Sequence, residues 1–280
     1  MTTEVFRWRP GKWYGVPDED YHSYVAASNS SLGKLLRSPA HMLWSQNNPS
    51  SGSSDAFRLG SAAHVAILED DFEEKWGRGP DGDRRTKAVR MEWKEAEEKY
   101  GGNILRGAQY DACLAMRDAV AEHKTASALL NAPGQSEVSI VWDDEKTGVR
   151  CKGRIDRLPD DPSLGIVDLK TTKDASPKAF AKSLWAYGYF RQSSHYLEGL
   201  RVLGDRRHAF RFITVEKDPP YGVAVYRIDD GSIDAGAAQL DRLLNTYRVC
   251  QDNDHWPAYP DEELDISVPA WAFAEIDKEL

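Results

Sequence analysis

The chain has 280 residues, of which 41% are hydrophobic and 29% charged, and a net charge of −9 at neutral pH. That length and balance suit a folded domain with a sizeable core and exclude a disordered chain. The acidic total argues against indiscriminate nucleic-acid binding but leaves room for a local basic surface. No apolar run approaches membrane-spanning length, and the first residues lack the apolar core of a signal peptide, so the sequence reads as cytoplasmic. Cys113, Cys151 and Cys250 are odd in number and widely spaced, which indicates neither a disulfide framework nor a thiolate metal site.

In chain order, residues 28–36 read as a serine-rich helix start, and residues 38–44 begin a second helix with Pro39 in its first turn. A polar loop over 47–55 precedes helical spacing through 56–70, carried by Phe57, Ala63, Ile67 and Leu68. A charged, glycine-rich stretch over 76–88 reads as a mobile connection. Helix then runs from about Arg90 to Leu130, interrupted near Gly101 and Gly102. The texture changes after 131–135. Strands over 136–142 and 149–158 flank a turn at 143–148, and a third strand covers 164–170. Ser176 and Pro177 open a long helix ending near Leu203. Strands over 208–216 and 222–228 and a last helix over 232–250 complete the pattern. Helices, a three-strand meander, a helix and further strands predict an α/β domain with a mixed sheet. Residues 1–280 are expected to form one unit, with a helical part to 130, a sheet core over 131–230 and a C-terminal helix and tail over 231–280.

Side chains alternate across a strand, so Asp168 and Lys170 share one face of their strand, while Val167 and Leu169 share the other. On the preceding strand Val149, Cys151, Gly153 and Ile155 fall on one side and Arg150, Lys152, Arg154 and Asp156 on the other. If the two strands pair, Asp156 and Asp168 can converge at one end. Two carboxylates beside a lysine suit a divalent cation, because hard cations take oxygen ligands. The lysine can offset developing negative charge, which is the arrangement of metal-assisted phosphodiester hydrolysis. A solvated strand face carries the same residue pattern.

The order of these residues resembles a known signature. Residues 153–156 (GRID), followed after an eleven-residue gap by residues 168–170 (DLK), resemble the PD-(D/E)xK nuclease motif. The stretches NSSLGKLLRSPAHMLW, FRLGSAAHVAILE, SEVSIVWDDEKTGVRCKGRIDRL, IVDLKTTKDASPKAF and YGYFRQSSHYLEGL together resemble the RecE-type exonuclease (exonuclease VIII) family, in the same order. Ile155 stands where many relatives have proline, which leaves the carboxylate of Asp156 in place. The resemblance implies a restriction-endonuclease-like core, a mixed central sheet flanked by helices, with an added N-terminal helical region. It implies a metal site of His64, Asp156, Asp168 and the main-chain carbonyl of Leu169, with Lys170 positioning or activating water. Glu137 matches an acid at the start of the first core strand that assists metal or water. Gln192 and Tyr196 match a Gln-x-x-x-Tyr motif. One turn apart, they share a helix face with Trp185 and Tyr189, for which core packing is the expectation.

Within this frame Arg150, Lys152 and Arg154 form an expected phosphate track leading to Asp156. Ser28 and Ser30 lie where a related recombination exonuclease fold presents a hydroxyl to a 5′ phosphate, although a plain helix cap uses the same residues. The implied activity is an Mg²⁺-dependent deoxyribonuclease, with Mn²⁺ able to substitute, that degrades linear duplex DNA from 5′ to 3′ and leaves a 3′ tail for recombination. Implied partners are double-stranded DNA ends and a single-strand-annealing protein, and the family suggests a ring-like homo-oligomer. A structure-selective or single-strand nuclease on the same core is the alternative enzyme, and a DNA-binding module without catalysis the alternative outside enzymes. An iron–sulfur branch of the superfamily needs four placed cysteines, so no such cluster is expected.

Overall fold

The computed structural model describes residues 8–48 and 55–279, so positions 49–54 of the expected polar loop lie outside the described residues. A short strand β1 (Gly11–Trp13) leads into helices α1 (Asp18–Ser23), α2 (Asn29–Leu35), α3 (Pro39–Asn47), α4 (Asp55–Leu68) and α5 (Phe72–Lys75). Next come β2 (Gly77–Arg78), α6 (Lys87–Tyr100), β3 (Ile104–Leu105), α7 (Gly107–Glu122) and α8 (Lys124–Asn131). The main sheet begins with β4 (Gly134–Asp143), β5 (Arg150–Pro159) and β6 (Ile166–Thr172). Helices α9 (Pro177–Ala186) and α10 (Tyr189–Val202) then cross to β7 (Phe210–Glu216) and β8 (Val223–Arg227), followed by α11 (Asp230–Asn253) and α12 (Ala270–Glu279).

The six-stranded sheet has the order β1-β4-β5-β6-β7-β8 and is mixed: β6 and β7 are parallel, and the other neighbours are antiparallel. Helices cover both faces, as an α/β layer architecture requires. On one face Ile140, Cys151, Ile155, Ile166, Phe210 and Phe212 bury against side chains of α2, α3, α9, α10 and α11. On the other, Val167, Leu169, Ile213 and Val215 bury against α4, α7 and α8. Among the described residues no helix is long and apolar enough to cross a membrane.

Five features depart from the sequence expectations. Strand β1 adds an edge to the sheet through pairs such as Lys12 with Ile140. The connection over 76–88 contains β2, which pairs in parallel with β3. The expected helix from Ser176 to Leu203 is broken at Gly188, whose φ of +66° is a left-handed conformation that glycine adopts without a Cβ penalty. Ser176 precedes that helix without a side-chain capping bond. Finally, α12 lies beyond the helix expected to be last.

His195 on α10 is buried, with Nε2 3.2 Å from the Lys152 carbonyl and its ring 4.6 Å from that of Trp142. Burial pushes its pKa down to about 4. Between that value and the ordinary pKa near 6.5 the unfolded chain binds a proton that the folded one does not, so stability falls as pH drops through this window. We expect acid titration from pH 7 to 4 to cost about 3 kcal/mol through His195 alone. A His195→Gln variant should flatten that limb of the stability curve in urea unfolding. An unchanged limb removes His195 as its source.

Candidate metal centre

His64 is held by the small residues around it. Ala62, Ala63 and Ala66 are buried and let α4 lie close against Val167 and Leu169 of β6. At that approach the His64 ring meets the Leu169 main chain by a hydrogen bond, and its Nδ1 lies 3.7 Å from Asp156 Oδ2. Asp156 Oδ2 in turn accepts from the Leu169 N–H at 2.7 Å. This contact marks where the sheet opens, because Arg157 with Val167 is the sole ladder pair joining β5 to β6 among the described residues. Beyond that pair the strands separate, and a side-chain carboxylate replaces a ladder carbonyl.

Glu137 sits on β4 opposite Asp156, between the register pairs Ser136–Arg157 and Val138–Ile155. Its φ is +52°, a costly conformation for a residue with a Cβ and of the kind that gathers at functional sites. Ligand atoms of His64, Glu137 and Asp156 all lie within 4.8 Å of one another. Asp168 lies outside that group. Its side chain is fully buried, with Oδ2 2.6 Å from Lys170 Nζ and Oδ1 accepting from Gln192 Nε2 at 2.9 Å. Apart from that ion pair, Asp168 Oδ2 has no hydrogen-bond partner. Lys170 also lies 4.7 Å from the ring of Tyr189. Tyr196 is buried on α10 beside Gly153, where a Cβ would come within 2.7 Å of its ring.

Charge has been gathered here at a cost. Burial, reinforced by Asp156, pushes Glu137 up to about 8, and burial with the same neighbour pushes Asp168 up to about 6. Burial also raises Asp156. His64 is pushed down to about 4 by burial and by the Lys170 charge. For Lys170 burial works downward, but Asp168 and Asp156 outweigh it and hold the ammonium above its usual pKa. Three carboxyl groups with raised pKa values and a neutral imidazole fit a divalent cation, which would compensate the clustered charge. Ligation requires Glu137 to lose its proton. We therefore expect ion binding at pH 7 to release close to one proton, and metal affinity to rise with pH up to about 8. Calorimetry in buffers of different ionisation enthalpy checks this, and release of no proton rules out Glu137 as a ligand.

The basic strand face behaves otherwise than expected. Lys152 is 7% exposed and donates to the Tyr21 and Tyr24 carbonyls at 2.7 and 2.6 Å. Arg150 pairs with Asp143 and donates to the Trp8 carbonyl and the Tyr24 hydroxyl. These two cations fasten the segment around α1 to β5 and are not an open phosphate track. Arg154 is held by Asp18 and stacked on Tyr21, but it remains on the cavity wall, 4.0 Å from Glu137. Ser28 caps α2 by accepting from the Ser31 N–H at 3.2 Å, while Ser30, 3.0 Å from the Ser28 hydroxyl, lines the cavity. Trp185 is 73% exposed, against the packing expected of it, because the break at Gly188 puts it on α9 and off the face of Gln192 and Tyr196. Sequence reasoning did not reach Tyr21, Arg58 or Lys75, which also line this cavity of about 1910 Å³. No local motif marks them, since only tertiary packing brings them there.

The class defined by this fold and site is an α/β domain whose mixed sheet is covered on both faces and splayed where two acids, a histidine and an Asp–Lys pair meet. The chain belongs to the family described as the PDDEXK-like domain of unknown function (DUF3799), whose profile matches residues 28–265. Among solved structures it is similar in fold to a protein described as "Putative exonuclease" from Eubacterium rectale, with a TM-score of 0.53 and 14% identity over 92% of this chain and 97% of that one. A second structure, of SSO0001, aligns over 81% of this chain and 90% of that one at 12% identity, with a TM-score of 0.27. No curated protein matches this sequence.

Proposed function

We propose that this protein is a divalent-metal-dependent exonuclease that hydrolyses phosphodiester bonds of linear duplex DNA, working 5′ to 3′ and leaving a 3′ single-stranded tail for recombination. The observation that supports this reading most strongly is the presence, in one cavity, of the His64–Glu137–Asp156 donor group beside the buried Asp168–Lys170 pair. His64, Glu137 and Asp156 would hold Mg²⁺, or Mn²⁺ in its place, with Asp168 and the Leu169 carbonyl as the remaining oxygen donors. A bound ion of this type supplies Lewis-acid polarisation and a water of lowered pKa.

The chain's own residues do the rest. In the metal-free protein Asp168 and Asp156 hold the Lys170 ammonium above its usual pKa, and its place beside the donor group suits it to donate to the attacking water or to charge building on the phosphoryl oxygens. Gln192 fixes Asp168, and Asp168 fixes the ammonium, which leaves little reorganisation for the reaction itself. In this reading the partners are double-stranded DNA ends and a single-strand-annealing protein, and the likeness to RecE-type enzymes suggests a ring-like homo-oligomer.

The test is a linear duplex labelled at either the 5′ or the 3′ end, incubated with Mg²⁺ beside a closed circular control. We expect mononucleotide or short 5′ products from the linear DNA, an intact circle, and binding without turnover in Ca²⁺, which holds its ligands in looser geometry. Cleavage that persists in excess chelator would sink the metal chemistry, and a cut circle would point to an endonuclease.

A further inference from the structure

With Lys152 and Arg150 committed to the N-terminal segment, other cations on the cavity wall come into view. Lys173 and Lys217 line it at the C-terminal ends of β6 and β7. These strands are parallel neighbours: Thr172 pairs with Glu216, and the Lys217 N–H donates to the Thr172 carbonyl at 3.0 Å. The two lysines therefore leave the sheet side by side. The acids next to them are occupied by main-chain amides, Asp174 by the Ser176 N–H and Glu216 by the Ala175 N–H, both at 2.8 Å. The ion pairs of this cavity are made by Lys75, Arg154 and Lys170, and among the described residues none involves Lys173 or Lys217. Two lysines without an ion-pair partner among the described residues thus leave neighbouring strand ends on the wall of this cavity, in a protein whose net charge is −9.

An aromatic path reaches the same wall. The ring of Tyr189, beside Lys170, lies 5.5 Å from that of Tyr187, which is 67% exposed and lines the cavity. The left-handed Gly188 ends one helix and starts the next between them, so Tyr187 leaves the helical face and stands toward solvent.

We infer that Lys173 and Lys217 grip the phosphodiester backbone of the cleaved strand and that Tyr187 stacks on one of its unpaired bases. The inference rests on the nuclease reading above and names the groups that hold its substrate. Lys173 lies three residues past Lys170, about 10 Å along an extended chain, which places the grip roughly two to three nucleotides from the scissile bond at about 3.4 Å of rise per nucleotide. A phosphodiester between the lysines gives both an anionic partner, and an exposed ring accepts any base by its π-face.

The experiment measures binding of labelled duplex and single-stranded DNA in Ca²⁺ across a salt series, with cleavage kinetics in Mg²⁺. Relative to the parent, the double variant Lys173→Gln/Lys217→Gln should lose about 1.8 units of log–log salt slope on duplex, close to 0.9 per phosphate contact. Its KM should rise far more than its kcat falls. Lys173→Arg/Lys217→Arg should restore the slope, and Lys146→Gln, a surface lysine paired with Asp241, should leave it unchanged. Tyr187→Ala should weaken single-strand binding about 5- to 150-fold, the range for one lost base–aromatic stack, and Tyr187→Trp should recover it. If the parent binds and cleaves DNA but the lysine variants keep its slope, the grip is wrong and the nuclease reading stands. Single-strand binding unchanged in Tyr187→Ala removes the stacking. A parent that neither binds nor cleaves DNA overturns the functional reading and this inference with it.

Discussion

In a Lys170→Ala variant we expect cleavage to stop and the protein to lose about 1 kcal/mol of stability at pH 7, because an Asp168 carboxyl already pushed up to about 6 takes up a proton for roughly that cost. Both effects follow from Asp168, which is fully buried and has Lys170 Nζ 2.6 Å from one of its oxygens. Removing the ammonium leaves a carboxylate in a low-dielectric site with only the Gln192 amide to satisfy it. A paired replacement separates the two roles: Lys170→Met with Asp168→Leu should recover most of the stability, since no unpaired charge remains, and still show no turnover. Urea unfolding and single-turnover cleavage measure each effect separately. Parent-like stability of Lys170→Ala would mean that Asp168 finds another cation or takes up a proton at no cost.

Glu137→Gln should have the opposite effect on stability while also abolishing metal-dependent cleavage. The Glu137 carboxyl is pushed up to about 8, so between its unfolded pKa near 4.3 and that value the folded state binds more protons than the unfolded one. Stability of the metal-free protein therefore falls as pH rises through this window. An amide is already neutral and removes the penalty. Allowing for partial exposure of the side chain, the metal-free variant should gain on the order of 2 kcal/mol at pH 8 and nothing at pH 4. Saturating Mg²⁺ should stabilise the parent and not the variant. Thermal melts at the two pH values, with and without the ion, give all four comparisons. A variant less stable than the parent at pH 8 without metal would show that Glu137 supports the fold as a carboxylate.

The two predictions describe one trade. A site that clusters Glu137, Asp156 and Asp168 loses stability without its ion, and the surrounding cores keep the strands in place against that repulsion. The left-handed backbone of Glu137 belongs to the same account, since β4 holds it between well-formed pairs on either side.

Much of this was legible from local rules. Period-two alternation gave the strands of the meander and showed which side of each is apolar, because a half-buried strand must sort its side chains by face. Cys151, Ile155, Val167 and Leu169 are buried where alternation puts apolar residues. The helix starts near Ser28 and Pro39 followed from the serine and proline preferences of a first helical turn, which act within three residues. The order of His64, Glu137, Asp156, Asp168, Lys170 and Gln192 carried the resemblance to a nuclease core.

Tertiary structure decided the rest. Alternation is relative to each strand's own pleat, so it could not tell that Asp156 faces α4 and His64 while Asp168 shares the face of Ile166 and meets Gln192 of α10. The two acids approach because β5 and β6 part beyond Arg157 and Val167, a feature of the sheet and not of either strand. Nor does a charge pattern name its partners. Lys152 and Arg150 look like a backbone track in sequence, and the distant residues Tyr21, Tyr24 and Trp8 claim them in space. Short-range steric and hydrogen-bonding preferences fix the elements; the pairing of charges across more than a hundred residues is fixed only when the chain closes.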